Sequence, residues 1–147
     1  MNLSQILKFI GMQQIFMLAT NGQGGAAPQM RAVINIRHPE IAPHLVEFFE
    51  KDNRIMIITN TSSDKIGQIR ANNAASLYAY DAAYNGLLLI GKVAEVTDSA
   101  TRDALWDDSW KMYYPDGKDG GDFSVLQFTP ESYKFYHEFS VERGEVK

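Results

Sequence analysis

The stretch between residues 54 and 80 constrains the fold most, because its hydrophobic period changes twice within one short segment. An apolar run at 55–58, IMII, is typical of a buried strand, and the polar sequence TNTSSDK follows it at 59–65. Ile66 and Ile69 then have helical spacing, and the alternation at 77–80 indicates a second strand. This segment is therefore predicted to form a strand, a polar turn, a short helix and another strand.

The polar turn of this segment carries several groups that hold anions. Ser62 and Ser63 supply hydroxyls, Lys65 supplies an ammonium, and a helix start leaves backbone N–H groups free. Asp64 suits a helix start but repels phosphate, so a phosphate site requires its side chain to face solvent. A capping turn followed by a surface lysine explains the same residues, and the sequence leaves both interpretations open.

Strands dominate the rest of the chain. Apolar or alternating runs predict strands at 15–19, 29–36, 87–96, 125–129 and 133–139, with a turn at Pro130 and Glu131 between the last two. Gly91, in the middle of the long strand, indicates a bend or a close approach by another backbone.

Helices are predicted to be few. Helical spacing predicts one from the amino terminus to about Gly11, capped by Ser4, one within 38–53, and one from Asp98 or Ser99 to about Asp107. Residues after Ser140 are polar and are expected to fray. Residues 1–147 are thus expected to form one mainly β domain, a closed or nearly closed antiparallel barrel with a few helices.

Composition excludes several classes of function. The chain has 147 residues, a net charge of −4 and a pI near 5.3, which argues against general nucleic-acid or membrane-surface binding. It contains no cysteine, which excludes disulfides and thiolate metal sites. The three histidines are scattered, so no metal site is predicted. With neither a secretory signal nor a membrane-spanning apolar run, a cytoplasmic protein is expected.

A glycine-rich segment at 22–27, GQGGAA, has the spacing of a dinucleotide-binding loop. A strand precedes it, but Pro28 and another extended segment follow it, so no helix points its amino end at a pyrophosphate. The segment is therefore predicted to be the tip of a hairpin.

Arg31 and two tryptophans are the remaining candidates for ligand contact. Arg31 is either a solvated strand residue or a phosphate clamp that joins Lys65 and the helix start around one dianion. Trp106 and Trp110 are interpreted mainly as core or interface filling, with stacking on a planar ligand as the alternative.

The order of several short motifs resembles a known family. The motifs are PQMRAV at 28–33, ITNTSSDK at 58–65, QIRANN at 68–73, LIGKV at 89–93, DSATRDALW at 98–106 and YPDG at 114–117. Together they resemble the FMN-binding split-barrel family related to pyridoxamine 5'-phosphate oxidase, in its general-stress-protein-like branch.

The resemblance implies a six-stranded Greek-key split barrel that forms a homodimer with two FMN sites at the subunit interface. By analogy, Arg31, Ser63 and Lys65 hold the flavin phosphate, and the loop from Trp106 to Trp110 of the partner covers the ring. The ribityl chain and isoalloxazine would be bordered by Ala32, Val33, Ile58, Thr59 and Asn60.

Some positions depart from the family pattern. Asp64 stands where the oxidases usually carry a basic residue, Gly86 where they carry a flavin-contacting glutamine, and Asn73 where proline is common. The carboxy-terminal segment that supplies substrate arginines is also missing, so oxidation of vitamin B6 is not expected.

The resemblance therefore implies an FMN-dependent oxidoreductase of unknown substrate. The alternatives are a non-catalytic flavin-binding or stress-related module, and a related barrel that binds deazaflavin, haem or nothing.

Overall fold

The computed structural model describes residues 1–147 and shows a split antiparallel β-barrel with short helices at its margins. Seven strands form one sheet in the order β2-β1-β4-β5-β6-β3, with β7 paired to β6. The strands are β1 (Ile15–Thr20), β2 (Gln29–Ile34), β3 (Ile55–Asn60), β4 (Ala74–Tyr80), β5 (Gly86–Val96), β6 (Phe123–His137) and β7 (Ser140–Glu145).

Four α-helices and three 3₁₀ turns accompany these strands; α1 precedes β1, and the others lie between strands. The 3₁₀ turns cover Gln23–Gly25, Pro43–Leu45 and Asp108–Met112. None of the helices has the length and apolarity needed to cross a bilayer. The helices are α1 (Leu3–Gly11), α2 (Val46–Lys51), α3 (Asp64–Ala71) and α4 (Ser99–Leu105).

The barrel interior is filled by alternate residues of its strands, as period-two patterning requires. In β1, Phe16 and Leu18 are buried, and they join residues such as Leu77, Leu89 and Phe128 in the main core. A second core lies on the other face of β3, where Met56 and Ile58 pack among residues that include Leu105, Trp110 and Phe123. β3 is therefore apolar on both faces because it lies between two cores.

The long strand β6 replaces the two short strands that the sequence predicted. Pro130 does not turn the chain; it pairs with Gly91 of β5 at a register shift between Ile90 and Gly91. A β-carbon on Gly91 would lie 2.0 Å from the carbonyl oxygen of Thr129, so glycine is required there by a close backbone approach. The predicted turn at Pro130 and Glu131 is wrong because a bulge accommodates the proline within the strand.

The carboxy-terminal residues are also ordered, contrary to the expectation of fraying. β7 pairs with the second half of β6, and the first half of β6 pairs with β3. The amino-terminal ammonium lies 2.8 Å from Glu142 of β7 and also contacts the Tyr133 hydroxyl. β7 is thus a seventh strand, where six were predicted.

Three smaller boundaries differ from the sequence prediction. Asn2, not Ser4, caps α1 through a reciprocal bond with Gln5. The helix expected within 38–53 is reduced to a 3₁₀ turn and α2, and β2 ends at Ile34. The predicted end of α1 at Gly11, the helix after the polar turn and the Asp98 cap of α4 are confirmed.

Candidate functional site

The candidate site lies where the barrel is split, between the edge strands β2 and β3. These strands are neighbours in space, but no backbone ladder joins them. A cleft of about 260 Å³ opens here, walled by residues 32–34 of β2, residues 58–60 of β3, Lys65, Tyr113 and Tyr114. The unpaired edges leave backbone N–H and C=O groups available to a ligand in the cleft.

The polar turn after β3 is held in place by Asp122, which directly precedes β6. One Asp122 carboxylate oxygen accepts a 2.6 Å bond from the Asn60 amide, and the other accepts a 3.0 Å bond from the Ser62 backbone N–H. Bonds from Asn60 and Ser62 lower the pKa of Asp122, so its carboxylate is ionised near neutral pH. The turn is therefore fixed at the mouth of the cleft.

The amino end of α3 is left open by this turn. Ser63 occupies the capping position, but its side chain does not cap the helix. The backbone N–H groups of Asp64 and Lys65 have no acceptor within the chain. Because a helix amino end carries partial positive charge, these free donors favour a bound anion.

Lys65 folds back over the turn toward β3. Its Nζ atom donates to Thr59 Oγ1 at 2.7 Å and to Ser63 Oγ at 3.2 Å. Burial and the nearby charge of Arg31 lower the pKa of Lys65, while Asp64 acts in the opposite direction. Arg31 is thus close enough to act on the charge of Lys65, and it also bonds Gln68 of the same helix.

Arg31 is anchored by polar residues of the barrel end. Its Nη1 atom donates to Thr20 Oγ1 at 2.7 Å and to the Leu18 carbonyl at 3.3 Å, and Nη2 donates to Gln68 Oε1 at 3.0 Å. Gln68 also accepts from Thr20 and donates to Gln29. Burial lowers the pKa of Arg31, and its Nε–H and one Nη2 hydrogen have no acceptor in the chain.

The two cations have little compensating charge. The negative charge of Asp64 partly offsets the lowered pKa values of Arg31 and Lys65, but the Asp64 side chain is exposed to solvent. This meets the condition that the sequence set for a phosphate site. Two cations, free helix N–H groups and the Ser63 hydroxyl can together hold one small dianion.

Most of the predicted cofactor contacts lie in or beside this cleft. Arg31 and Ser63 are not part of its wall, but they adjoin Lys65 at its mouth. The predicted residues that form the wall are Ala32, Val33, Ile58, Thr59, Asn60 and Lys65.

The two predicted tryptophans lie elsewhere in the subunit. Trp110 is only 6% exposed and packs edge-on against His44 in the second core. Within this subunit its side chain does not reach the cleft, and its predicted contact with the partner's flavin stays a prediction. Trp106 is half-buried against Phe123 and bonds Asp108, outside the cleft wall.

Several residues of the site were missed by the sequence reasoning. Tyr113 and Tyr114 of the loop after α4 line the cleft, and burial raises the pKa of Tyr114 to about 12. Ile34 completes the wall on β2, and Thr20 and Gln68 orient Arg31. The aromatic cluster YY at 113–114 was a visible signal, whereas the Thr20–Gln68 pair joins residues far apart in sequence.

The sequence profile of the family described as Pyridoxamine 5'-phosphate oxidase matches residues 3–137. The chain belongs to this family. A search among curated proteins finds no match.

Solved structures agree with this family assignment. A Clostridium acetobutylicum protein related to general stress protein 26 of B. subtilis, of the pyridoxinephosphate oxidase family, is 27% identical with a TM-score of 0.75; the match covers 98% of this chain and 94% of that one. A pyridoxamine 5'-phosphate oxidase-related, FMN-binding protein from Nostoc punctiforme has the same fold, with 16% identity, a TM-score of 0.63 and coverage of 99% and 95%.

Another member of the fold binds a different group. A heme binding protein from Mycobacterium smegmatis is 16% identical with a TM-score of 0.68, and the match covers 97% of this chain but 57% of that one. The fold alone therefore does not decide which cofactor a member binds.

Proposed function

We propose that this chain binds FMN in the cleft between β2 and β3 and acts as an FMN-dependent oxidoreductase. The observation that carries the proposal is the convergence of Arg31, Lys65 and the open amino end of α3 at the cleft mouth. A flavin phosphate placed there would balance the charge of both cations and accept hydrogen bonds from the free N–H groups. The ribityl chain and ring then follow the unpaired strand edges into the cleft.

The strength of the phosphate contacts can be compared with the cost of binding. Each charge-assisted hydrogen bond contributes about 1.5–3 kcal/mol, and a helix amino end adds roughly 0.3–1 kcal/mol. Three or four such contacts support a dissociation constant in the micromolar range after association costs.

The volume of the cleft supports a site that a second subunit completes. Its 260 Å³ falls below the range of about 300–1,000 Å³ typical of small-molecule sites. The outer faces of β1 and β2 also expose an apolar surface formed by Ile15, Met30 and Ile34. We propose that two copies pack through this face and close the cleft from its open side.

The chemistry belongs to the cofactor, and the chain supplies its position. Bound FMN accepts and passes on hydride or electrons through its isoalloxazine ring. In the cleft wall the ionisable side chains are Lys65, Tyr113 and Tyr114, and we assign none of them as an acid or base. The residues of this chain hold the phosphate, present backbone groups to the ring and exclude water.

Haem is the alternative raised by the Mycobacterium smegmatis relative. No histidine lines the cleft, and the chain has no cysteine. The phosphate-binding arrangement favours a flavin nucleotide, and an absorption spectrum distinguishes flavin bands from a haem Soret band.

Titration of the purified protein with FMN, followed by flavin fluorescence, tests the proposal. We expect wild-type protein to bind FMN in the micromolar range or tighter, and Arg31→Ala and Lys65→Ala each to weaken binding about 10- to 100-fold. Arg70→Ala is the matched control, because Arg70 is on the same helix but is exposed and paired with Glu95. Unchanged affinity in both site variants would remove the phosphate assignment.

A second measurement separates an enzyme from a flavin carrier. Addition of NADH or NADPH to the FMN-loaded protein under anaerobic conditions should bleach the flavin absorbance near 450 nm, as expected of a flavin. Loaded protein that stays oxidised with both donors would favour the non-catalytic flavin-binding module.

A further inference from the structure

A second hollow of about 320 Å³ lies on the outer face of the sheet, across β1 from the flavin cleft. Met17 and Ile15 of β1 form its side nearest the cleft, and Tyr78 and Tyr80 of β4 form the opposite side. Gln13 and Asp81 lie among its remaining residues. The proposed FMN contacts use none of these side chains.

Cross-strand pairing connects this hollow directly to the cleft. Ala32 of the cleft wall pairs with Met17, and Met17 pairs with Tyr78 on its other side. Neighbouring strands lie about 4.8 Å apart, so one row of side chains leads from the cleft to the hollow. In the dimer proposed above, the partner covers both.

Tyr78 owes its orientation to the absence of a side chain at Gly86. A β-carbon on Gly86 would lie 2.1 Å from the Tyr78 hydroxyl oxygen and 2.8 Å from the ring carbon that carries it. The phenol therefore occupies the space of a residue-86 side chain. Its hydroxyl donates to no other residue of the chain, but it lies over Gly86, which is not part of the hollow, so Tyr78 presents its ring and not its hydroxyl to a ligand there.

The walls of the hollow favour a flat, uncharged ligand. The Tyr78 and Tyr80 rings are stacked, with centroids 6.2 Å apart and planes 29° apart, and Met17 adds a polarisable thioether. No lysine, arginine or histidine lines the hollow. The only charged side chain, Asp81, is engaged by Asn85 and Ala83, and the Asn85 hydrogen bond lowers the pKa of Asp81.

We infer that this hollow binds an uncharged planar aromatic compound, stacked beside the ring of Tyr78. The inference rests on the proposed function in one respect: it makes the hollow the substrate subsite next to the flavin. The contrast between a cationic cleft and a hollow without cations separates the two ligands by charge.

The test is calorimetric titration of the FMN-saturated protein with 1,4-naphthoquinone, which has no thiol to react with in this chain. Tyr78→Ala should weaken quinone binding at least about tenfold, whereas Tyr78→Phe, which keeps the ring, should stay within about threefold of the wild type. Tyr84→Ala is the control, because Tyr84 is 90% exposed and outside the hollow. Its affinity should match the wild type within about twofold.

Two further measurements are the affinity for a charged analogue of the quinone and the affinity of each variant for FMN. The anionic 1,4-naphthoquinone-2-sulfonate should bind at least about tenfold more weakly than the neutral quinone, because no cation faces it. All variants should keep the wild-type affinity for FMN, since none of these tyrosines touches the phosphate-binding residues.

The inference is overturned if the wild type does not bind the quinone, if the Tyr78→Ala and Tyr84→Ala variants bind it equally, or if FMN displaces it. Failure of the proposed function is recognised separately, as an absence of FMN binding. In that case the same titration of the unloaded protein still tests the hollow, with the same expected ratios between variants.

Discussion

At the scale of single residues, the site depends on cations held close together by polar neighbours. Thr20 and Gln68 orient the Arg31 guanidinium, and Thr59 and Ser63 orient the Lys65 ammonium. Burial first and the charge of Arg31 second lower the pKa of Lys65, because both make its ammonium unfavourable without an anion. In the free protein the two positive charges repel each other, and a bound dianion would compensate them.

The pH dependence of FMN binding follows from the lowered pKa of Lys65. The FMN phosphate becomes a dianion above about pH 6, which strengthens binding. On the alkaline side, Lys65 loses its proton at a lower pH than an ordinary lysine, and affinity should fall there. Fluorescence titrations from pH 5 to 10 should give a bell-shaped affinity profile.

Lys65→Arg is the control for this profile, because a guanidinium stays charged throughout the range. The Lys65→Arg variant should lose little FMN affinity at alkaline pH. Any loss caused by titration of the flavin ring itself should be the same in both proteins. An identical alkaline limb in wild type and Lys65→Arg would exclude Lys65 as the titrating group.

The sequence could place Ser63 and Lys65 side by side because they are close in the chain. Ser63 and Lys65 follow one strand and begin one helix, so their mutual geometry is local. The anchoring of Arg31 was not predictable in this way. Thr20 and Gln68 meet only because β1 and α3 pack at the same end of the barrel, and nothing in either segment indicates the other.

At the scale of secondary-structure elements, local patterns gave correct results where local forces decide. The strand β3 is a short continuous apolar run, and α3 has Ile66 and Ile69 at helical spacing; both formed as predicted. Pro130 misled the prediction because proline usually interrupts a strand, yet here it sits at a bulge opposite Gly91. The polar strand β7 has no alternation, so only its pairing with β6 defines it.

Gly91→Ala tests the close contact between β5 and β6. An added methyl group meets backbone atoms of Thr129 and Pro130 that cannot move independently, so the free energy of unfolding should fall by about 1–3 kcal/mol or more. Chemical denaturation measures it. Gly11→Ala is the control, because its nearest neighbour would be 3.8 Å away, and it should be neutral or slightly stabilising.

At the scale of the whole molecule, the proposed flavin site needs a second subunit to complete it. The outer faces of β1 and β2 are apolar, and the flavin cleft beside them is open and small for the whole cofactor. The same face carries the hollow beside Tyr78. A dimer through this face explains why apolar side chains are exposed on a sheet that ends at the cleft.

Met30→Glu tests this interface, because Met30 lies on the exposed face of β2 and is 66% exposed. Analytical ultracentrifugation should show wild-type protein at twice the chain mass of 16.5 kDa and the variant shifted toward the monomer. The FMN affinity of the Met30→Glu variant should fall as the dimer dissociates. Val46→Glu on α2, exposed outside this face, should leave the dimer intact. A monomeric wild type would contradict the proposed interface.

The central claim is that the cations beside α3 recognise a flavin through its phosphate, and the most direct measurement compares FMN with riboflavin. The two ligands share the ring and ribityl chain and differ only in the phosphate. Titrated into the same protein, FMN should bind at least about 100-fold more tightly than riboflavin, and Arg31→Ala with Lys65→Ala combined should remove most of that difference. Equal affinities of the wild type for the two flavins would contradict the account.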